Sequence, residues 1–185
     1  SADIAYVGNR GVDLVMDVDR NASMVYNSGN NGRPQFPTFN RTGTSRERTN
    51  LGKTTYHGLQ MKIDRRFRQG IMITNSYTLS RAMNYVDENG GINSPIDFSK
   101  SWGRAGFDRT HNYALTTIYN LPFGPGHKWL GDGLTGKILG GWQISTLFVA
   151  QSGQALTITG NGTTLNTPGT TPFADLVGTQ RVLGG

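Results

Sequence analysis

The sequence predicts an all-β protein, an antiparallel meander of about five or six long strands. Apolar and polar side chains alternate over long stretches, glycine supplies 26 of the 185 residues, and no run approaches the ~18 apolar residues of a transmembrane helix. Period two is typical of a β-strand, because successive side chains point to opposite faces of the pleat. The predicted strands are also longer than the 5–6 residues that are usual in soluble sheets, at about ten residues each. A strand of that length can cross a bilayer, so we expect these strands to form part of a transmembrane β-barrel.

The clearest element is a hairpin within residues 56–81. Its first strand places Leu59, Met61 and Ile63 on one face, and its second resumes the alternation from Ile71. Residues 68–70 form a short turn, in which glycine can adopt positive φ. Two strands joined this tightly predict a β-hairpin in a barrel wall.

Shorter segments on either side complete the predicted meander. Near the start, residues 3–7 read as a strand closed by 8–11, and residues 12–18 as another extended piece. After the hairpin, residues 113–121 alternate until Pro122, which cannot donate to a ladder. Residues 142–153 form the next strand, and residues 155–159 are expected to extend it or pair with it.

We expect a single domain over residues 1–185, a partial barrel whose connections alternate in length. Long loops are predicted at about 21–53, 82–107 and 160–185, against a tight turn at 68–70 and a moderate connector at 122–141. Short turns at one end and long loops at the other are typical of outer-membrane barrels. Aromatic residues near strand ends could form an interfacial girdle or belong to an ordinary sheet core; these are Tyr6, Tyr77, Tyr113, Tyr119 and Trp142.

Charge and cysteine content exclude several classes of protein. The net charge is +6, but the basic residues are scattered and build no single basic face with interleaved aromatics. Nucleic-acid binding is therefore not predicted. The chain has no cysteine, which removes disulfides, thiolate metal sites and thiol catalysis together.

The chemical motifs are weak. Residues 131–137 match G-x-G-x-x-G by spacing, but residues 139–142 are not expected to start a helix, so a flexible turn is the interpretation. Residues 17–23 carry alternate oxygen ligands like a calcium loop, yet lack its glycine at position six and its glutamate at position twelve, which favours a solvated loop. His57, His111 and His127 have no metal-ligand spacing. We expect no catalytic residues, no metal site, no cofactor and no enzymatic activity.

The chain resembles the barrel of TonB-dependent outer-membrane receptors, and within them the Oar-like group that carries a carboxypeptidase-regulatory-like domain. Six segments carry the resemblance, and they occur in the order found in that family. They are 5-AYVGNRG-11, 56-YHGLQMKIDRRF-67, 76-SYTLSR-81, 107-FDRTH-111, 119-YNLPFG-124 and 139-LGGWQIS-145 with 151-QSG-153. Together they are specific, although each alone would be weak.

The resemblance implies an internal piece of a larger barrel in the bacterial outer membrane. The plug domain, the TonB-contacting segment and the closing strands of that family are not among the matched segments, so we expect them to be absent. Implied partners are outer-membrane lipid, the TonB system through the missing plug, and a transported ligand of unknown identity. The implied function is the barrel wall of an energy-coupled importer.

The alternation then assigns the two faces of the hairpin. Charge on a lipid face costs about 2–4 kcal/mol at mid-bilayer, so we expect the charged face to line the lumen. The predicted lumen-facing residues are Gln60, Lys62, Asp64, Arg66, Thr74 and Ser76. The predicted lipid-facing residues are Leu59, Met61, Ile63, Ile71 and Ile73. Arg65 breaks the pattern, but near the turn it can snorkel to the interface.

Two other classes of function stay open at this point. A soluble β-sandwich or jelly-roll binding module, for example for glycans, would also use alternating strands, with Trp102 or Trp129 exposed. A small hydrolase is supported only by stray serine, histidine and aspartate residues.

Overall fold

A computed structural model describes residues 1–68, 70–87, 92, 95–127, 129–131, 133–160, 163–174 and 177–178, without the side chains of 66–68 and 139. Within these residues the chain forms one six-stranded sheet. Its strands are β1 (Ala2–Asp19), β2 (Arg46–Arg68), β3 (Ile71–Asn84), β4 (Gly103–Arg104), β5 (His111–Asn120) and β6 (Gln143–Gln151).

The strands follow one another as a meander. Their order is β1-β2-β3-β5-β6, and the two-residue β4 pairs with the far end of β3, where Met83 lies opposite Arg104. Strand β5 is antiparallel to both of its neighbours, with Tyr113 opposite Tyr77 of β3 and Ala150 of β6. The predicted all-β antiparallel meander of five or six strands is confirmed.

The helices are short. Helix α1 spans Phe36–Phe39 and helix α2 spans Gly133–Leu139, while Gly29–Gly32 and Phe98–Ser101 form 3₁₀ turns. None of the helices in the described part of the chain is long and apolar enough to span a membrane. Since α2 occupies most of the segment expected to be a flexible turn, that prediction was wrong. Residues 139–142 do not start a helix but end one, because Gly140 N–H donates to the Gly136 carbonyl at 2.9 Å and Gly141 adopts φ +76°.

The first two long strands extend further than the alternation predicted. Strand β1 runs through residues 8–11 without a break. A Cβ at Gly8 would lie 3.3 Å from the Tyr6 ring, so this glycine makes room for an aromatic side chain within a paired strand. Strand β2 begins at Arg46, inside the predicted 21–53 loop, and there Arg46 and Arg48 form ion pairs with Asp17 at 3.8 and 3.3 Å. Strand β3 likewise continues to Asn84, inside the predicted 82–107 loop.

The chain divides into two compact units. The first, called the strand unit, comprises residues 1–9, 56–81 and 109–153. Apart from glycines, none of its described residues is buried. The strand unit is therefore a single layer of sheet with both faces uncovered.

The second, called the loop unit, comprises residues 10–55, 82–108 and 154–185. It contains all the buried side chains of the described residues. The apolar ones are Met16, Val18, Ala22, Ala82 and Ala105, and the polar ones are Asp17, Asn21, Ser23, Arg33, Ser101, Asp108 and Thr167.

Polar contacts between distant segments hold the loop unit together. The Asn21 amide donates to the carbonyls of Arg41 and Gly43 at 3.1 and 2.7 Å, and its oxygen accepts from Gln35 N–H at 3.0 Å. Ser23 N–H donates to the Pro168 carbonyl at 2.9 Å. The expected solvated loop at 17–23 is therefore wrong, because its polar side chains satisfy buried backbone groups.

Candidate functional site

The strand unit presents two chemically different faces. The cross-strand register places mainly large apolar residues together on one side, here called the apolar face. From β3 to β6 this face contains Ile71, Ile73, Tyr77, Leu79, Tyr113, Leu115, Tyr119, Ile144 and Phe148. Asn75 also lies there, and its amide donates to the Tyr113 hydroxyl at 2.7 Å. Half of the surface of Ile144 and of Phe148 is uncovered (50% and 52%), which is costly in water and favourable in lipid.

The opposite side, here called the polar face, carries mostly small polar residues. They include Thr74, Ser76, Thr78, Asn112, Thr116, Asn120 and Ser145, and the same face also carries the apolar residues Met72, Ala114, Ile118, Leu147 and Val149. Hydroxyl and amide side chains of this kind tolerate water, and their small size leaves the sheet surface open to solvent.

A charged cluster on β2 belongs to the polar face. Lys62 Nζ lies 2.8 Å from Asp64 Oδ2, and the Asp64 carboxylate also accepts a hydrogen bond from the Thr74 side chain on β3. Alternation places Gln60 on the same side as Lys62 and Asp64, and Ser76 on the same side as Thr74. The structure thus brings Gln60, Lys62, Asp64, Thr74 and Ser76 onto one face. The Arg66 side chain lies outside the described residues.

The charges of this cluster determine whether its face can contact lipid or water. Lys62 keeps 54% of its side chain exposed and Asp64 keeps 26%, with Asp3 of β1 also attracting the Lys62 ammonium. An exposed ion pair stabilises a fold by only about 0–1 kcal/mol. The position of the ion pair shows which face can contact lipid, because an uncovered lysine at the bilayer midplane would cost about 2–4 kcal/mol. The polar face therefore requires water.

The odd-numbered residues of β2 lie on the other side of the strand from this cluster. Met61 and Ile63 expose 37% and 55% of their surface. Because they alternate with Lys62 and Asp64, they continue the apolar face beyond β3.

Two tyrosine–histidine pairs mark the end of the strand unit remote from Gly70. The Tyr77 hydroxyl lies 2.7 Å from Nδ1 of His111 on β5, and the Tyr6 hydroxyl lies 2.6 Å from Nδ1 of His57 on β2. The rings of both pairs are stacked, with centroids 6.1 and 6.2 Å apart. The position of the tyrosines near strand ends is compatible with a girdle or a sheet core, and the sequence alone does not identify their histidine partners.

Tyr119 and Trp142 mark the opposite end, where Leu121 N–H donates to the Trp142 carbonyl at 2.9 Å. From His111 to Leu121 the chain covers about 33 Å at ~3.3 Å per residue. With a strand tilt of about 40° this corresponds to roughly 25 Å along the membrane normal, the height of the apolar band of outer-membrane barrels. The aromatic residues thus bracket a segment of bilayer height.

The described residues contain no group of three or more histidine, aspartate or glutamate side chains placed to hold a metal ion. The oxygens of the suspected calcium loop bind protein groups: Asp19 Oδ1 accepts from the N–H groups of Asn21 and Ser45, each at 2.9 Å. That loop is a structural feature of the loop unit.

A sheet with one apolar face, one largely polar face and aromatic residues at both ends is typical of a membrane β-barrel protein. The chain matches the model of the outer membrane beta barrel domain family over residues 1–185, and it belongs to this family. Neither the curated proteins nor the solved structures contain a significant match. Family membership places the protein in the bacterial outer membrane, which confirms the predicted location.

Proposed function

We propose that the chain forms part of the wall of a TonB-dependent receptor of the Oar-like group, which imports a ligand with energy supplied through the TonB system. Three observations support this proposal. Several segments, such as 56-YHGLQMKIDRRF-67, resemble that group and occur in the same order as in it. The family to which the chain belongs is an outer-membrane barrel. The strand unit has one apolar face and one largely polar face.

The observation that carries the proposal is the contact of Lys62, Asp64 and Thr74 on a face opposite Ile63 and Ile73. In a barrel wall one face meets lipid and the other meets an aqueous lumen. We assign Gln60, Lys62, Asp64, Arg66, Thr74 and Ser76 to the lumen, and Leu59, Met61, Ile63, Ile71 and Ile73 to lipid.

The role we propose is transport without catalysis. Outer-membrane lipid is one partner, and the TonB system, acting through a plug domain, is the second. Contacts to the unknown ligand are assigned mainly to the loops and the plug. Within the loop unit, Phe39 of α1 and Tyr26 expose 74% and 49% of their surface, which suits such contacts. Membership of an outer-membrane family argues against a soluble binding module.

The lumen assignment is tested by labelling neighbouring residues of β2. Residues 1–185 contain no cysteine, so Lys62→Cys and Ile63→Cys each introduce one thiol into this part of the protein. In outer-membrane vesicles, a membrane-impermeant maleimide should react readily with the Lys62→Cys thiol and poorly with that of Ile63→Cys. Equal reaction of both thiols would refute the assignment of the two faces. Reaction of both in detergent-denatured protein is the control for reagent competence.

The TonB part of the proposal needs a separate test on the intact protein in cells. A photo-crosslinking residue in the periplasmic domain of TonB should capture the receptor, as it captures a known receptor in the same cells. Failure to capture this protein while the known receptor is captured would remove the importer proposal and leave the barrel assignment intact.

A further inference from the structure

The connector at 122–142 exposes apolar side chains where a polar turn would be expected. Leu134 and Ile138 of α2 expose 78% and 67% of their surface, and Trp129 and Trp142 expose 57% and 60%. All four belong to the strand unit. Large exposed apolar groups gathered on one short segment indicate a surface that is covered by something other than water.

The inward side of α2 is built from glycine. A Cβ at Gly136 would lie 2.2 Å from the Leu130 carbonyl oxygen, so only glycine permits the helix to approach the 129–131 segment this closely. At 3.6 residues per turn, Leu134 and Ile138 lie one turn apart on the side opposite Gly136. The packing therefore turns the apolar side of the helix outward, the reverse of a helix that packs into a protein core.

The helix is tied to the beginning of β6. The Trp142 indole N–H donates to the Ile138 carbonyl at 2.9 Å, which holds the end of α2 beside that tryptophan. Trp142 precedes Ile144 by two residues, and Ile144 is the first β6 residue of the apolar face. The exposed side of α2 is thus continuous with the apolar face through Trp142.

Its composition is that of a membrane interface. Tryptophan concentrates where the hydrocarbon meets the headgroups, because its ring is apolar and its N–H is polar. Lys137 is exposed and flanks Leu134 on the helix surface, where a long side chain can cover apolar surface and still reach phosphate. An amphipathic helix with these features lies in the interface plane with its apolar side in the acyl boundary.

We propose that α2 with Trp129 and Trp142 is a membrane-interface anchor, which lies flat on the bilayer and inserts Leu134 and Ile138 between phospholipids. The occupant of this surface is lipid, because the surface continues the face that we assign to lipid. The inference rests on that assignment, and the experiment separates the two.

The experiment uses spin labels on single cysteines introduced into residues 1–185, which contain none, in protein reconstituted into phospholipid bilayers. Leu134→Cys and Ile138→Cys are the test positions. Phe148→Cys on the apolar face is the lipid control, and His127→Cys in the same connector is the water control. Collision with oxygen reports lipid, and collision with a soluble nickel chelate reports water.

Labels at Leu134→Cys and Ile138→Cys should give the same collision pattern as the label at Phe148→Cys, with oxygen collisions several times more frequent than nickel collisions. Labels that follow His127→Cys overturn the anchor, and labels shielded from both reagents show a protein partner and overturn it too. If the Phe148→Cys label also collides mainly with the nickel chelate, the assignment of the apolar face to lipid is refuted, and the anchor proposal that rests on it is refuted too.

A second measurement leaves the helix unchanged. In Trp102→Phe/Trp142→Phe protein, the fluorescence of Trp129 should be largely lost in phospholipids brominated near the carbonyl end of their acyl chains. In Trp129→Phe/Trp142→Phe protein, Trp102, which packs edge-on against Tyr85 in the loop unit, should keep most of its emission. Unchanged emission from Trp129 would overturn the proposal.

Discussion

The hydroxyl of Tyr77 lies 2.7 Å from Nδ1 of His111, diagonally across the β3–β5 pair, with the two rings stacked. Tyr6 and His57 repeat the arrangement between β1 and β2. Each pair joins two neighbouring strands by a hydrogen bond and a ring contact at the edge of the apolar band. Such a pair can keep its polar atoms bonded while its rings remain in the interface.

The first prediction concerns the coupling between Tyr77 and His111. Tyr77→Phe keeps the ring and removes the hydroxyl, and we expect a loss of about 0.5–1.5 kcal/mol in the free energy of unfolding. A double-mutant cycle with His111→Phe isolates the pair from other effects of each change. Urea unfolding in lipid vesicles is the measurement. Additive effects of the two substitutions would mean that the pair does not interact.

The second prediction concerns the buried carboxylate of Asp108. It accepts from Ala82 N–H at 2.8 Å and from Arg104 at 2.7 and 3.0 Å, and only 1% of its side chain is exposed. Asp108→Ala leaves a buried N–H without this partner, so we expect a loss of about 2–4 kcal/mol in stability. The exposed Asp87, which accepts from Gly106 N–H, provides the control. A similar loss for Asp87→Ala and Asp108→Ala in the same urea assay would contradict this reasoning.

The third prediction concerns Asn21, which binds three backbone groups in the loop unit. Asn21→Asp is nearly isosteric, but it replaces two N–H donors by a carboxylate oxygen facing the carbonyls of Arg41 and Gly43. We expect it to lower the opening free energy of the 35–45 segment by at least about 2 kcal/mol, as Asn21→Ala should. Hydrogen–deuterium exchange of that segment is the measurement.

The exposed Asn50 of β2 provides a matched control for Asn21. Asn50→Asp makes the same chemical change on a solvated strand surface and should leave exchange in the 35–45 segment unchanged. Unchanged exchange in Asn21→Asp protein would show that the amide does not organise this segment.

The fourth prediction is a pH dependence in the loop unit. Hydrogen bonds from the Ser99 hydroxyl and N–H hold the pKa of Asp97 below its ordinary value of 3.8. A carboxylate with a lowered folded pKa stabilises the fold fully above its unfolded pKa and loses that contribution as the pH falls through the folded value. The 3₁₀ turn Phe98–Ser101 should therefore become more susceptible to an acid-active protease as the pH falls below about 4. Asp97→Asn should reduce that dependence, and a dependence as steep as in the unaltered protein would contradict the assignment.

The meander and its two faces could be predicted because apolar and polar residues alternate with a period of two along the sequence. Leu59, Met61 and Ile63 alternate with Gln60, Lys62 and Asp64, and neighbouring strands must match these faces to form one sheet. The residues at which strands begin and end could be predicted less well from the sequence. Gly8 reads as a turn residue in the sequence, whereas in the sheet its missing side chain makes room for Tyr6.

The core of the loop unit could not be predicted, because its contacts join segments far apart in the chain. Asn21 binds groups at residues 35, 41 and 43, and Ser23 binds Pro168. No local pattern in a polar segment identifies such partners. The Tyr77–His111 pair was missed for the same reason, since it depends on the register between β3 and β5.

The last prediction compares two neighbours on β3 that point to opposite faces. Ile73 pairs with Thr117 on the apolar face, and Thr74 pairs with Thr116 on the polar face. Ile73→Lys places an ammonium in the bilayer and should cost about 2–4 kcal/mol near the midplane. Thr74→Lys places the same charge on the face that holds Asp64 and water, so its cost should stay below about 1 kcal/mol. Both variants change the same strand and add the same side chain, which cancels effects of strand propensity to first order. The measurement is the urea midpoint in lipid vesicles, with the same pair compared in detergent micelles. A larger loss for Thr74→Lys than for Ile73→Lys would reverse the assignment of the faces and, with it, the proposed lumen.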